Sequence, residues 1–486
     1  MEVVNLQQKN KVIASSFFWK LLERMGTQGI QLVIQIVLAR LLAPKDYGII
    51  ALVTIFITLA TVMVQSGLNT SLVQKKEVDS KDYSTVFWIS LVLAVVLYGI
   101  LYFGAPYIAR FYKEPTVTVV LRVIGLVLFF NAINSVQNAY LVKNFLFKQL
   151  FKSALSATII SGGVGIWMAY AGYGVWALVA YQMLNSMLNC IIMWFTVRWR
   201  PTFDFSVGRL KTLWQYGWKI LVAYMLDTVY REVQALVLGR MSDAKTLGYY
   251  NRGQQIPAMV NRCTHDTIQS VALPIYSEYQ DEYTKLKQMM RKSQSIVAFI
   301  VFPVMAGLAV TSPALTEILL TDKWMPSVPF AQILCLAYCF QPLISIYMQA
   351  INAIGRSDIF CKTVYIQLGL SLVILYITSQ ISVYAVAYGV VIASLVQWIM
   401  YIIVARKMFK YKFMELFKDI KSACLITACM TVVTQWVNYW NCSAWIKLPV
   451  QIVMGVAVYA TLAALFKVVG FQYVWGFIKG RKKDEK

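Results

Sequence analysis

The chain has 486 residues, of which 59% are hydrophobic and only 14% are charged, and its mean hydropathy is +0.61. Soluble domains have roughly 45–50% apolar and about 25% charged residues, so this composition excludes a water-soluble protein. The net charge of +23 would favour a nucleic-acid partner in a soluble protein, but in a membrane protein it records which side each loop faces.

Apolar segments of bilayer length recur along the whole chain and predict about fourteen membrane-spanning helices, an all-α polytopic membrane protein. The predicted spans of the first half are residues 12–38, 47–69, 84–106, 117–140, 151–171 and 174–197. Those of the second half are residues 213–238, 246–274, 293–314, 328–352, 360–379 and 382–405, followed by a final pair at 420–438 and 446–467.

The positive charges of the loops indicate the orientation. With a cytoplasmic N-terminus, the cytoplasmic segments contain roughly 30 Lys and Arg residues and the outer segments about eight. This is the positive-inside pattern, and it predicts that both termini are cytoplasmic. It also accounts for most of the net charge, so we expect no nucleic-acid partner.

An internal repeat with an offset of 200 residues relates the two halves. Val37–Arg40, Lys45 and Gly48 match Val237–Arg240, Lys245 and Gly248. Each copy has six spans, so both have the same orientation and form parallel repeats. We predict lobes at residues 1–200 and 201–412 around a central cavity, and two extra helices with a basic cytoplasmic tail at residues 413–486.

Polar and charged side chains cluster on one face of several spans. A charge in the middle of a span costs about 2.5–3.5 kcal/mol, so these faces are expected to line the bundle interior or water. The positions are Lys20, Glu23, Arg24, Gln28, Gln31 and Gln35 on span one; Asn131, Asn134 and Asn138 on span four; Asp227, Arg231 and Gln234 on span seven; and Asn251, Arg252, Gln255, Arg262 and Asp266 on span eight.

Two interpretations of these polar faces remain open. Asn and Gln often form hydrogen bonds between membrane helices, and Glu23 with Lys20 or Asp266 with Arg262 could pair at one-turn spacing. However, arginines exceed their nearby acidic partners in spans one and eight. An excess of Arg in a cavity indicates an anionic ligand, since guanidinium binds phosphate oxygens in a bidentate geometry. The amides would suit a hydroxyl-rich sugar.

The cysteines and the histidine carry little chemistry. None of the eight cysteines forms a CxxC pair, and His265 is the single histidine of the chain. Buried thiols in apolar segments usually behave as small hydrophobic groups. We therefore expect no metal site and no cofactor.

Several motifs resemble a known family of transporters. They are Glu23–Gly29, Leu38–Gly48, Ser66–Leu68, Gln74–Lys76, Asp82–Ser84, Leu273–Pro274 with Ser277–Glu278, Asp322–Trp324 with Pro326, and Gly355–Asp358. Together they resemble the polysaccharide-transport (Wzx-like) branch of the multidrug/oligosaccharidyl-lipid/polysaccharide exporter superfamily. The likeness covers roughly residues 10–410.

The resemblance implies a flippase rather than an enzyme. Such proteins move undecaprenyl-diphosphate-linked oligosaccharide units from the inner to the outer leaflet of the bacterial cytoplasmic (inner) membrane. The units are used for O-antigen, capsule, exopolysaccharide or teichuronic-acid-like polymers, and the expected partners include a polymerase and glycosyltransferases of the same pathway. The related lipid II flippase has cationic residues on its first, second and eighth helices. Span two has no Arg or Lys here, which argues against lipid II as the substrate.

Roles follow for the polar residues. Arg24, Arg252 and Arg262, assisted by Lys20, are expected to hold the diphosphate, while the Asn and Gln side chains named above and Arg231 line the sugar path. Glu23, Asp227 and Asp266 are candidates for coupling to H⁺ or Na⁺, or for salt bridges. The alternatives are a drug or small-cation antiporter, which needs an acidic cavity, and a membrane glycosyltransferase or polymerase, which needs a carboxylate base and a large outer loop.

Overall fold

A computed structural model describes residues 26–74, 78–144, 146–466, 468 and 471. All regular secondary structure in these residues is helical, which confirms the predicted all-α class. The first seven helices are α1 (residues 26–41), α2 (Pro44–Gln74), α3 (Ser80–Tyr112), α4 (Thr116–Ile124), α5 (Val127–Lys143), α6 (Phe147–Tyr170) and α7 (Val175–Thr196).

The remaining helices follow the second half of the span pattern. They are α8 (Val207–Met241), α9 (Ala244–Glu278), α10 (Tyr283–Leu320), α11 (Val328–Tyr338), α12 (Gln341–Ala353), α13 (Ser357–Ser379), α14 (Val383–Phe409), α15 (Phe413–Trp436) and α16 (Ala444–Leu465). Short 3₁₀ helices at Asp322–Ser327 and Val437–Tyr439 precede α11 and follow α15.

The protein is a multi-pass membrane protein. In the described ranges, ten helical segments are long and apolar enough to cross a membrane. The polar helices α8 and α9, together with α15 and the partly described α1, are not among them, although each coincides with a predicted span. The total of fourteen therefore stays a prediction.

Spans four and ten are broken at corresponding places. The first consists of α4 and α5, joined at Gly125 and Leu126, and the second of α11 and α12, joined at Cys339 and Phe340. Pro342 lies at the start of α12, where its missing N–H is tolerated because the first turn has no intrahelical partner. Interrupted helices at matching positions of two repeats are typical of transporter substrate regions.

Packing divides the chain into two compact units, unit 1 at Met1–Gly248 and unit 2 at Tyr249–Lys486. In unit 1, α8 packs closely along α2. The approach needs the glycine at position 239, where a Cβ would lie only 2.3 Å from a methyl carbon of Leu52. The first helix of the predicted second lobe is thus part of unit 1. The lobe boundaries at residues 200 and 412 come from the repeat, not from packing, and stay a prediction.

Residues related by the repeat touch each other within unit 1, where the first turns of α2 and α9 meet. A Cβ on Gly48 would lie 1.6 Å from the carbonyl oxygen of Ala244, and one on Gly248 would lie 2.2 Å from that of Pro44. Both contacts pair positions 44 and 48 with positions 244 and 248. The two backbones therefore approach closely through small-xxx-small motifs, as in many membrane helix pairs.

In unit 2 the last two helices are attached to α10 along its length. Hydrogen bonds join α10 to α15, to α16 and to the 3₁₀ helix between them, in the first third, at the middle and in the last third of α10. They are Arg291 to Asp419 (2.9 and 2.7 Å), the Tyr459 hydroxyl to the Phe299 carbonyl (2.7 Å), and Asn438 Nδ2 to the Val310 carbonyl (3.2 Å). The helices α15 and α16 are thus an integral part of unit 2.

Candidate functional site

Several of the predicted site residues cannot be placed. Lys20, Glu23 and Arg24 lie outside the described residues. The backbone places Asp227 and Arg231 on α8 and Asp266 on α9, but their side chains are outside the described part of the chain. The roles predicted for these six residues therefore stay predictions.

The amides predicted for the sugar path on spans one, seven and eight are accessible to different degrees. Gln28 is exposed, and Gln31 and Gln35 are half-buried on α1. Gln234 on α8 and Asn251 on α9 are also half-buried. These five side chains keep part of their surface open, which a role in lining a polar path requires.

Arg252 is a buried residue of unit 2. Its side chain is only 8% exposed, its guanidinium lies 5.6 Å from the centre of the Trp324 ring, and Nη1 donates a hydrogen bond to Gln255 Oε1. The cleft beside it is lined by Ser312, Thr316 and Ser327 among others. Stacking on an aromatic face and a hydrogen bond to an amide give this arginine a packing role inside the unit.

Arg262 differs from Arg252 although both lie on α9. It is exposed, and it lies near the middle of a helix of 35 residues. At 1.5 Å per residue this helix is about 52 Å long, longer than the hydrocarbon thickness of about 30 Å. The two arginines are ten positions apart, which corresponds to about 15 Å along the axis. The structure therefore does not bring the two arginines together, and of the two only Arg262 is exposed.

The asparagines of span four form bonds between helices. Asn131 Nδ2 donates to Thr61 Oγ1 at 3.3 Å, and Asn134 Nδ2 donates to the Ser186 carbonyl at 3.3 Å. Asn134 is 4% exposed, whereas Asn138 is half-buried. For Asn131 and Asn134 these contacts favour the alternative of interhelical hydrogen bonding.

One polar contact in unit 2 joins residues that are not among the predicted site residues. His265 Nδ1 lies 2.5 Å from Ser345 Oγ, joining α9 to the first turns of α12. The Ser345 hydroxyl donates to the Gln341 carbonyl at 3.0 Å, and Gln341 Nε2 donates to Gln397 Oε1 at 3.2 Å. A chain of polar groups thus crosses α9, α12 and α14 just after the break in span ten.

Unit 1 makes the equivalent contact with residues related by the repeat. Gln65 Nε2 donates to the Asn131 carbonyl at 3.3 Å, joining α2 to α5 just after the break in span four. Gln65 and His265 are 200 residues apart, and Asn131 and Ser345 occupy the fifth position of α5 and of α12. These two equivalent contacts could have been found in the sequence by aligning the two repeats at the breaks in spans four and ten.

The sequence matches a family model described as "Polysaccharide biosynthesis protein" over residues 37–329, more than half of the chain. The chain belongs to this family. The teichuronic acid biosynthesis protein TuaB of Bacillus subtilis (strain 168) is 23% identical over 83% of this chain and 85% of its own length. The succinoglycan biosynthesis transport protein ExoT of Rhizobium meliloti (strain 1021) is 21% identical over 80% and 76%. The lipopolysaccharide biosynthesis protein WzxC of Escherichia coli (strain K12) is 21% identical over 71% and 70%.

Solved structures show the same fold. A lipid II flippase MurJ in an inward closed conformation superposes with a TM-score of 0.75 at 13% identity, over 92% of this chain and 98% of that one. An inward-facing multidrug resistance MATE family transporter of the MOP superfamily has a TM-score of 0.55 at 14% identity, over 79% and 94%. The family model and the curated relatives confirm the resemblance to the Wzx-like polysaccharide-transport branch, and the solved structures show the same fold.

Proposed function

We propose that this protein is a flippase for lipid-linked oligosaccharides. It moves undecaprenyl-diphosphate-linked repeat units from the inner to the outer leaflet of the bacterial cytoplasmic membrane, with both termini cytoplasmic. The observation that carries the proposal is the exposed Arg262 at the middle of the long polar helix α9, in a multi-pass protein of a polysaccharide biosynthesis family. A cation presented within the membrane attracts an anionic group there.

The physical problem is the passage of a sugar–diphosphate headgroup through hydrocarbon. Each hydroxyl that loses water without replacement costs several kcal/mol, and a desolvated diphosphate costs far more. Amide side chains such as Gln28, Gln31 and Gln35 replace the water of the sugar, while arginine neutralises the phosphates. The polyprenyl tail stays in lipid, and alternating access opens the polar path to each side in turn.

The contributions of the arginines are unequal in this mechanism. Arg262, with Arg24 and Lys20 from span one, binds the diphosphate directly. Arg252 shapes α9 from inside unit 2 through its contact with Trp324. The exposed cation on α9 also disfavours a drug or small-cation antiporter, because a like charge repels a cationic passenger.

The place of the flippase in the pathway and its partners follow from this activity. The flippase makes and breaks no covalent bond, so it acts between the glycosyltransferases that build the repeat unit and a polymerase that joins units outside. A deletion strain that lacks this protein should accumulate the lipid-linked substrate, and the sugars of that substrate give its composition. Mass spectrometry of undecaprenyl-linked sugars from that strain therefore identifies the passenger.

The test replaces Arg262 by Ala and by Lys in the deletion strain. Loss of the cation should reduce outer-leaflet delivery at least tenfold, while Lys should retain part of it, because Lys keeps the charge but not the bidentate geometry. Arg356→Ala is the matched control, since Arg356 is an exposed arginine paired with Asp358 at 2.9 Å in a loop. Normal delivery by a well-expressed Arg262→Ala variant would contradict the proposal.

A further inference from the structure

The single histidine of the chain occupies a special position in the repeat. Each unit joins its second span to the start of the second half of its broken fourth span, through Gln65 in unit 1 and His265 in unit 2. Glutamine stays neutral at every physiological pH, whereas imidazole gains a proton between about pH 5 and 8. The two units thus have the same contact, and only the one in unit 2 can change its charge.

The hydrogen bonds around Ser345 are compatible with a neutral His265 that takes up its proton at Nε2. The Ser345 hydroxyl has one hydrogen and donates it to the Gln341 carbonyl at 3.0 Å. In the tautomer that matches this donation, Nδ1–H of His265 donates to Ser345 Oγ at 2.5 Å and Nε2 is the basic nitrogen of the neutral ring. Protonation at Nε2 leaves the bond from Nδ1 intact, so both charge states fit the same contact.

Few other groups near this contact titrate in the same range. Within two turns of the contact residues, the ionisable side chains are Arg262, Cys263 and Asp266 on α9, Cys335, Tyr338, Cys339 and Tyr347 on α11, α12 and the bend between them, and Tyr401 on α14. Arg is permanently charged, and Cys and Tyr have ordinary pKa values of about 8.5 and 10. Of these groups, only His265 has an ordinary pKa near neutral pH, and the neighbouring Asp266 needs a variant of its own.

The charge of the histidine acts on the same face as Arg262. These residues are three positions apart on α9, so their side chains are neighbours on the helix surface. Arg262 is exposed and His265 is half-buried, held at its inner nitrogen by the buried Ser345. A protonated His265 adds a second positive charge one turn from the arginine that binds the diphosphate in the proposed function.

We propose that His265 is a proton-binding residue of the anion site, so that protonation at Nε2 strengthens binding of the lipid diphosphate. This rests on the proposed function. By linkage, the bound diphosphate must raise the proton affinity of His265 by the same factor. Gln65 is its neutral counterpart and confines the pH response to unit 2.

The first experiment observes the residue directly. Because the chain has one histidine, protein with ¹⁵N-labelled histidine, purified through a tag without histidine and placed in lipid nanodiscs, gives one imidazole signal. We expect it to titrate between pH 5 and 8, and saturating undecaprenyl diphosphate to raise its midpoint by about one unit, a tenfold linkage. A signal that does not titrate in this range, or a midpoint unmoved by bound lipid, overturns the proposal.

The second experiment uses the residue that the other repeat already supplies. His265→Gln keeps a donor for Ser345 but cannot be protonated, as Gln65 shows in the equivalent contact. Between pH 8 and 5.5, we expect the affinity of the wild-type protein for undecaprenyl diphosphate to rise about tenfold more than that of His265→Gln. The titration of the phosphate itself affects both proteins equally, so the difference between them reports His265 alone. Ser345→Ala should shift the midpoint without removing the response.

Asp266→Asn separates this role from that of the neighbouring carboxyl group. A pH response lost in Asp266→Asn but kept in His265→Gln would assign the proton to Asp266 and refute the proposal. Failure of the proposed function is recognised separately, because undecaprenyl diphosphate would then not bind at any pH. In that case the histidine titration in the absence of lipid still reports whether His265 binds a proton.

Discussion

Arg252 and Arg262 have the same charge and lie on the same helix, yet their surroundings give them different roles. Arg252 lies against Trp324 and donates to Gln255, and it is 8% exposed. Arg262 is exposed. A buried guanidinium that stacks on an indole contributes to the folded state, whereas an exposed one in a membrane helix contributes to binding.

Replacing Arg252 by Lys should lower stability while leaving substrate affinity largely intact. Lys keeps the charge but cannot stack its flat face on Trp324, so we expect a loss of roughly 1–2 kcal/mol in the free energy of unfolding. The thermal midpoint in detergent measures it. Arg262→Lys is the matched variant and should leave that midpoint unchanged. Equal midpoints for the two variants would contradict the packing role of Arg252.

At the scale of helices, the first turns of α2 and α9 offer a sharp test of close packing within unit 1. Gly48→Ala and Gly248→Ala each place a methyl group within 2.2 Å of a backbone carbonyl oxygen. Overpacking of this kind costs roughly 1–3 kcal/mol. We expect a lower thermal midpoint for each variant.

The control for this crossing is another helical glycine. A Cβ on Gly99 of α3 would have no atom within 4 Å, so Gly99→Ala should be neutral or stabilise by about 0.5–1 kcal/mol through reduced backbone entropy. If Gly48→Ala behaved like Gly99→Ala, the two turns would not touch in the membrane.

The attachment of α15 to α10 depends on a bidentate ion pair. Arg291 donates to both carboxylate oxygens of Asp419, and Lys287 lies 2.7 Å from Glu415 beside it. Arg291→Asp or Asp419→Arg alone creates a like-charge pair and should cost roughly 1–2 kcal/mol, since the arginine is about a third exposed. The double exchange should recover most of the stability. A thermal-shift cycle over the four proteins measures the coupling, and additive losses would contradict the pairing.

At the scale of the whole molecule, the positions of the helices could be predicted because apolar length and loop charge are local properties of the sequence. The breaks in spans four and ten could not, since Gly125 and Pro342 are residues that membrane helices also tolerate without a break. The burial of Arg252 depends on Trp324, which only the fold brings to α9. The sequence therefore predicts that Arg252 and Arg262 both hold the diphosphate, whereas the structure buries Arg252 and exposes Arg262.

Transport of a charged headgroup through the whole molecule needs a water-accessible polar path. Cysteine labelling can detect such a path. In a variant lacking the native cysteines, Arg262→Cys should react with a membrane-impermeant maleimide when the polar path is open to the labelled side. Arg252→Cys should react at least tenfold more slowly, because position 252 is buried in unit 2. Undecaprenyl diphosphate should slow the labelling of position 262 by occupying the path. If position 262 resisted labelling from both sides of the membrane, in vesicles of either orientation, α9 would face lipid or protein there and could not carry an anionic headgroup.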